Sequence, residues 1–397
     1  MMMGKVIVHI DLNAFFARCE EIRNPALEGK PVAIGHDGRG GIVSTCSYKA
    51  REYGVHSAMP MFQAKKACPE LIIIPVDFHF YVAMSATFMS FIKRYTKIVE
   101  PASIDECFAD FTNVVKGIKD VPGFFKKLQQ DLYKETKLKC SIGVGSTKFL
   151  AKMGSDYQKP MGLTIIRRKD IPNILYPLSL DKMFGVGKKT APHLKAIGVN
   201  TIGDLAKLCN EDDLRVRDIL GKFFYVIKDW LNGYGDDTVI TEPYDPKSIG
   251  NCTTLKHDTS SLEEIRQTFE YLSKEVSERC IKEGKVGNTI QIVVKESDFK
   301  VHNKSITFDN PTNDYRIIFN HAMNLYIDNF SKMTVRLVGV TLQNLIDPKD
   351  VVIQMSLFDY EKHEEESATK LLINDLNRRL KKPSLMRASE VKKNDGN

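Results

Sequence analysis

The 397-residue chain, with 43% hydrophobic and 27% charged residues, is too long for one ordinary core and calls for two to four compact units. Its apolar runs all fall short of the length that crosses a bilayer as a helix, which sets aside a membrane-spanning class. The net charge of +7 is spread unevenly: residues 116–235 hold 22 Lys and Arg against 12 Asp and Glu, while residues 243–350 hold 14 against 15. A phosphate backbone is the expected partner of that local excess. Residues 1–5 run directly into an apolar strand, without a hydrophobic signal core or a small-residue cleavage site, so a cytoplasmic location is expected. The eight cysteines are scattered, with neither zinc-type spacing nor a disulfide framework.

In chain order, residues 5–11 (KVIVHID) predict a buried strand, and the helical spacing of Phe15, Phe16, Cys19 and Ile22 predicts a helix over 13–22. A strand at 32–34, a Gly-rich turn at 38–41 and a helix at 61–68 form a small insertion before a strand at 72–76. Residues 77–95 read as a long helix, Pro101 as a turn, 104–111 as a strand, 123–137 as an amphipathic helix and 140–144 as a strand. This order suggests a split βαβ sheet. Beyond Gly162 short helices with glycine turns are expected, and 242–246, with two prolines, reads as a linker. A second mixed unit follows, with strands at 289–294 and 334–342 and helices at 261–282 and 313–330. After Pro348 the chain becomes charged and tail-like.

Asp105 and Glu106 are adjacent between Ile104 and Phe108 at a strand mouth, where two like charges are costly unless a cation or solvent compensates them. Successive strand residues face opposite ways, so both reach one site only at a hairpin end, which residues 101–103 make plausible. Asp11 ends an apolar strand in the same manner, and neighbouring central strands bring the three carboxylates together. The alternative is that Asp11 caps the next helix and Glu106 is solvated. Paired Mg²⁺ ions on hard oxygen ligands are what phosphoryl transfer asks of such a cluster.

Residues 11–20 (DLNAFFARCE), 44–51 (STCSYKAR), 103–106 (SIDE), 148–151 with 159–162, and 248–255 (SIGNCTTL) together resemble the Y family of DNA polymerases, in that family's order. The resemblance covers nearly everything from residue 3 to about 345. It implies an α+β multidomain, right-hand polymerase: a ferredoxin-like palm at 1–11 and 77–165, small fingers at 12–76, a helical thumb at 166–240, a linker at 241–246, a C-terminal α/β little finger at 247–350 and a tail at 351–397. It further implies that Asp11, Asp105, Glu106 and the backbone carbonyl of Leu12 hold two Mg²⁺ ions for transfer of a dNTP to a primer 3′ oxygen. Tyr48, Arg51 and Lys159 match the triphosphate clamp, and Thr45 could add a hydroxyl. Read alone, Lys49 and Arg51 would be a solvated helix face. Phe16 matches the aromatic steric gate against a 2′-hydroxyl; Phe15 belongs to the same nucleotide pocket, though its ring is expected to face the core. Asn13, Ala14 and Cys46 depart from the pattern common among relatives.

Met183 to Gly187 (MFGVG) with Lys188 and Lys189 looks like a helix-hairpin-helix, in which Gly185 and Gly187 let backbone N–H groups approach phosphates; an ordinary helical turn is the alternative. Gln354, Met355, Leu357 and Phe358 in QMSLF resemble a sliding-clamp-binding peptide, with a last strand as the other reading. The expected protein is a monomeric, low-fidelity translesion polymerase without proofreading. A polymerase V-like subunit needing accessory proteins, a non-catalytic clamp-recruited adapter and a nucleotide cyclase are the rivals.

Overall fold

A computed structural model describes residues 4–351. They divide into two units, one ending at Pro243 and the other beginning at Tyr244. In chain order the first unit contains β1 (Ile7–Leu12), α1 (Phe15–Arg23), β2 (Val32–Gly35), β3 (Val43–Cys46), α2 (Tyr48–Glu52), α3 (Met61–Ala67), β4 (Ile72–Ile74), α4 (Phe78–Ile92), β5 (Val99–Pro101), β6 (Glu106–Asp110), α5 (Val121–Thr136), β7 (Cys140–Gly145), α6 (Lys148–Tyr157) and β8 (Leu163–Ile166). Helices α7 (Ile171–Ile174), α8 (Thr190–Ala196), α9 (Ile202–Asn210), α10 (Leu214–Leu220) and α11 (Phe224–Leu231) complete it.

Five strands form one sheet in the order β5-β6-β1-β7-β8, with β1 central and antiparallel to both neighbours. All six β1 residues are buried, which is why the strand reads as a nearly continuous apolar run. Alternation splits its side chains between faces. Val8, Ile10 and Leu12 join Cys107, Ala109, Phe88 and Leu128 in the main core, while His9 and Asp11 face the other way, toward α6. Each fully buried aliphatic side chain there contributes about 1.5–3 kcal/mol.

Helix α6 lies almost directly on β7. A Cβ at Gly143 would come within 1.9 Å of the Ala151 carbonyl oxygen, and one at Gly145 within 2.5 Å of the Leu150 Cβ. Only glycine permits this approach, and it brings the α6 side chains down onto the end of β1. A second, three-stranded sheet, β3-β2-β4, has its own small core around Val43, Cys46, Met61 and Cys68. The helices from α7 to α11 share another core, in which Trp230 stacks on Phe149 with centroids 5.0 Å apart.

The second unit contains β9 (Ser248–Thr259), α12 (Leu262–Lys282), β10 (Gly287–Glu296), β11 (Val301–Thr312), α13 (Tyr315–Phe330) and β12 (Val335–Gln343). Its antiparallel sheet runs β11-β10-β12-β9, and both helices cover one face with an aliphatic and aromatic core. Short helices alone are expected after Gly162, whereas Leu163–Ile166 is a strand paired in parallel with β7. All eight cysteines are unpaired thiols; seven are buried and Cys252 is exposed. Among the described residues no helix is long and apolar enough to cross a membrane.

Candidate active site

The carboxylates come together through strand register. Asp11 on β1 is the direct partner of Glu106 on β6, and Leu12 N donates to the Asp105 carbonyl at 2.9 Å. Strand β6 begins at Glu106, so Asp105 lies in the bend before it and escapes the alternation that would turn it to the opposite face. Its carboxylate accepts from Ser103 Oγ at 2.6 Å.

Two lysines meet these acids. Lys152 Nζ is 2.6 Å from Glu106 and 3.5 Å from Asp11, and Lys159 Nζ is 2.7 Å from Asp11 and 2.8 Å from Asp156. His9 Nδ1 lies 2.8 Å from Ser155 Oγ, while Nε2 stands 3.4 Å from Glu106 without a well-formed hydrogen bond. His9 and Lys152 hold the Glu106 carboxyl well below the usual carboxylate range. Burial pushes the Asp11 carboxyl up, with Lys159 opposing. Burial likewise opposes the charge on Lys152, yet Glu106 and the neighbouring acids keep it firmly protonated. Burial lowers the His9 pKa and favours a neutral ring.

A cavity of about 290 Å³ opens beside this cluster. Asp11, Leu12, Asp105 and Lys159 line it, with Phe15 and Phe16 as an aromatic floor and Thr45, Tyr48 and Arg51 as a further wall. Glu106 is not in that lining; it turns toward Lys152 and His9. The wall is placed by Ser47, whose Oγ caps α2 by accepting from Ala50 N at 3.2 Å, accepts from Val32 N and donates to the Lys30 carbonyl. Tyr48 and Arg51 therefore project from a fixed first turn. Tyr48 lines the cavity, and its hydroxyl is buried without a hydrogen-bond partner.

The floor depends on one strained residue. Ala14 takes left-handed values, φ 48°, at a cost of about 1–2 kcal/mol. The turn sends Phe15 into the main core, at 2% exposure, and leaves Phe16 half-buried along the cavity. Phe16 stacks on Tyr81 with centroids 4.3 Å apart, and the Tyr81 hydroxyl donates to buried Glu20 at 2.9 Å.

Hard oxygen donors alone, with cations already offsetting their charge, fit a divalent ion of the magnesium kind. Among the described residues no three acidic, His or Cys side chains are gathered tightly enough to cage one. Instead each acid already has a partner: Ser103 on Asp105, Lys152 on Glu106 and Lys159 on Asp11. Sequence reading named neither Lys152, one residue beyond its motif, nor His9. The two-residue period linking His9 to Asp11 is a signal for His9 alone.

Gly185, at φ 91°, turns the chain ahead of α8, and the Gly187 carbonyl accepts from Thr190 N and Ala191 N. Lys188 and Lys189 are exposed at that helix start. Residues 354–358 lie outside the described residues.

Residues 10–156 match the impB/mucB/samB family, residues 246–357 its C-terminal domain and residues 168–199 the IMS family HHH motif. The DNA polymerase IV of Bacillus velezensis is 36% identical over 395 residues, spanning 99% of this chain and 94% of that protein. The chain belongs to the Y family of DNA polymerases. DNA polymerase IV 1 of Bacillus subtilis is 37% identical over the same length. A Y-family DNA polymerase chimera superposes with a TM-score of 0.76 at 28% identity, covering 86% of this chain and 99% of that one. An insertion ternary complex of Dbh DNA polymerase gives 0.58 at 26% identity with the same coverage. Like its family, this chain is a DNA-directed DNA polymerase.

Proposed function

We propose that this polymerase extends a primer by two-metal nucleotidyl transfer from a dNTP, with low fidelity and without proofreading, across damaged templates. The observation that carries the reading is the cross-strand pair Asp11 and Glu106, with Asp105 beside it, next to a cavity that Asp11 and Asp105 line together with Tyr48, Arg51 and Lys159. Two divalent ions, Mg²⁺ in this reading, supply activation of the primer oxygen and charge compensation of the departing pyrophosphate when bound. Asp11, Asp105, Glu106 and the Leu12 carbonyl are the groups to hold them.

The residues of the chain do the positioning. The primer 3′ oxygen bonds to the α-phosphorus as the bond to the β-phosphate bridge breaks, and pyrophosphate leaves. Arg51 supplies fixed donors to the triphosphate oxygens, Tyr48 its unpaired hydroxyl and Lys159 a charge that now rests on Asp11. Phe16, held flat by Tyr81, fills the space a 2′-hydroxyl would need. The lid over the nascent pair is slight, since α2 and α3 have five and seven residues. A small lid accords with tolerance of distorted templates.

By the same reading, residues 1–11 with 77–165 are the palm, 12–76 the fingers, 166–240 the thumb, 241–246 the linker and 247–350 the little finger. Gly185, Gly187, Lys188 and Lys189 grip the DNA backbone irrespective of sequence, and residues 354–358 recruit a sliding clamp. Primer extension with Mg²⁺ tests the core claim. Wild type extends a primer, and Asp105→Ala or Glu106→Ala lowers the rate by about 10³-fold or more while the fold is retained. Unchanged incorporation by either variant would remove the metal assignment.

A further inference from the structure

We infer that Asn13, Ser141 and Gln129 form a buried polar knot that positions Lys159 on the triphosphate, an inference that rests on the reading of Lys159 given above. Lys159 lies in the short link between α6 and β8, followed by Pro160, by Met161 in the left-handed region at φ 58° and by Gly162. Such a link has little regular hydrogen bonding of its own, and its backbone is tied from beneath by side chains. Met161 N donates to Asn13 Oδ1 at 2.7 Å, and Gly162 N donates to Ser141 Oγ at 3.3 Å. Gln129 Nε2 donates to the Met161 and Gly162 carbonyls, at 3.4 and 3.0 Å, and to that of Cys140 at 3.0 Å. Asn13 Nδ2 closes the knot on Ser141 Oγ at 2.9 Å.

The three side chains are 4%, 0% and 5% exposed for Asn13, Ser141 and Gln129. Buried amides and hydroxyls left without partners are costly, so these groups are satisfied only with the link in this one place. The knot is also tied to the acids. Asn13 follows Asp11 by two residues, and Ser141 is the direct strand partner of Asp11. One cluster therefore fixes the end of β1, the start of β7 and the lysine link together, which sets the separation between a carboxylate and a triphosphate cation. The three residues are positioning residues, since they act on the nucleotide only through Lys159.

The test measures single-turnover insertion against dNTP concentration for wild type, Gln129→Met, Asn13→Ala, Lys159→Ala and Lys159→Ala with Gln129→Met, together with thermal melting and primer-template affinity. Gln129→Met, a change of similar volume on α5, is expected to raise the dNTP concentration for half-maximal rate about fivefold, with the maximal rate and DNA affinity little altered. In the Lys159→Ala background the same change should add less than about twofold. A lowered melting temperature with unaltered dNTP dependence overturns the inference, as does an equal factor with and without Lys159. Should Asn13→Ala not fold, Gln129→Met decides alone. If Lys159→Ala itself leaves the dNTP dependence unaltered, the triphosphate reading fails and takes the inference with it; if only the knot variants are silent, the reading stands and the inference falls.

Discussion

The two largest sheets solve the same packing problem with opposite attitudes to charge. In the four-stranded sheet of the second unit, β10 and β12 send only Ile290, Ile292, Val294, Val338, Val340 and their like into the core. In the five-stranded sheet, β1 sends Val8, Ile10 and Leu12 one way but buries His9 and Asp11 the other way, with Lys152 laid over them. Nothing in sheet packing requires those charges, and burying them is a cost to the fold. The difference teaches where the fold bears a cost that packing does not ask for: one face of one strand, the face on which the proposed chemistry rests.

The contrast can be broken most forcefully by removing one group from each sheet. Ile292→Ala should lower the stability of the second unit by about 2–5 kcal/mol, and Mg²⁺ should not restore it. Lys152→Met leaves Asp11 with Lys159 and Glu106 with His9 alone, and should cost about 2 kcal/mol without divalent ions, a loss that Mg²⁺ offsets. Melting curves with and without the ion separate the two, and an equal response would erase the distinction. Phe16→Val sharpens the picture of the cavity floor: discrimination against ribonucleotides should fall on the order of 10²-fold, read from paired dNTP and rNTP insertion rates. Joint replacement of Lys188 and Lys189 by Ala should weaken DNA binding several-fold for any sequence and lower the salt slope by about one per lost phosphate contact. The smallest effect belongs to α9, far from charge burial. Backbone N–H groups, Thr201 first, hold the Asp204 carboxyl below its ordinary value, so its stabilisation is present near neutrality and lost as pH falls through that lowered value. Asp204→Asn should cost about 1 kcal/mol at neutral pH, a gap that closes in acid.

Much of the fold was legible because its core strands are strongly apolar. The 5–11 run became Ile7–Leu12, and residues 123–137 became the helix Val121–Thr136 with Asp120 as its cap. Edges were harder. Strand Val301–Thr312 pairs on one side only and is largely exposed, so its polar sequence carries no alternation to find. Leu163–Ile166 is four residues long and depends on β7 for its pairing. In the site, the acids were legible from their placement at strand mouths. Lys152 was not, because a lysine on an amphipathic helix reads as solvated until Gly143 and Gly145 let the helix drop onto the strand. His9 was hidden for the opposite reason, as one buried residue among six.

The cysteine pattern gives the molecule a built-in spectroscopic handle. Cys252 alone is open to a maleimide dye, on a strand of the second unit, and the chain has a single tryptophan, Trp230, in the first. A dye that accepts indole emission would thus form one donor and acceptor pair spanning the two units without any engineered mutation. Energy transfer between them would follow their separation as duplex and nucleotide are added.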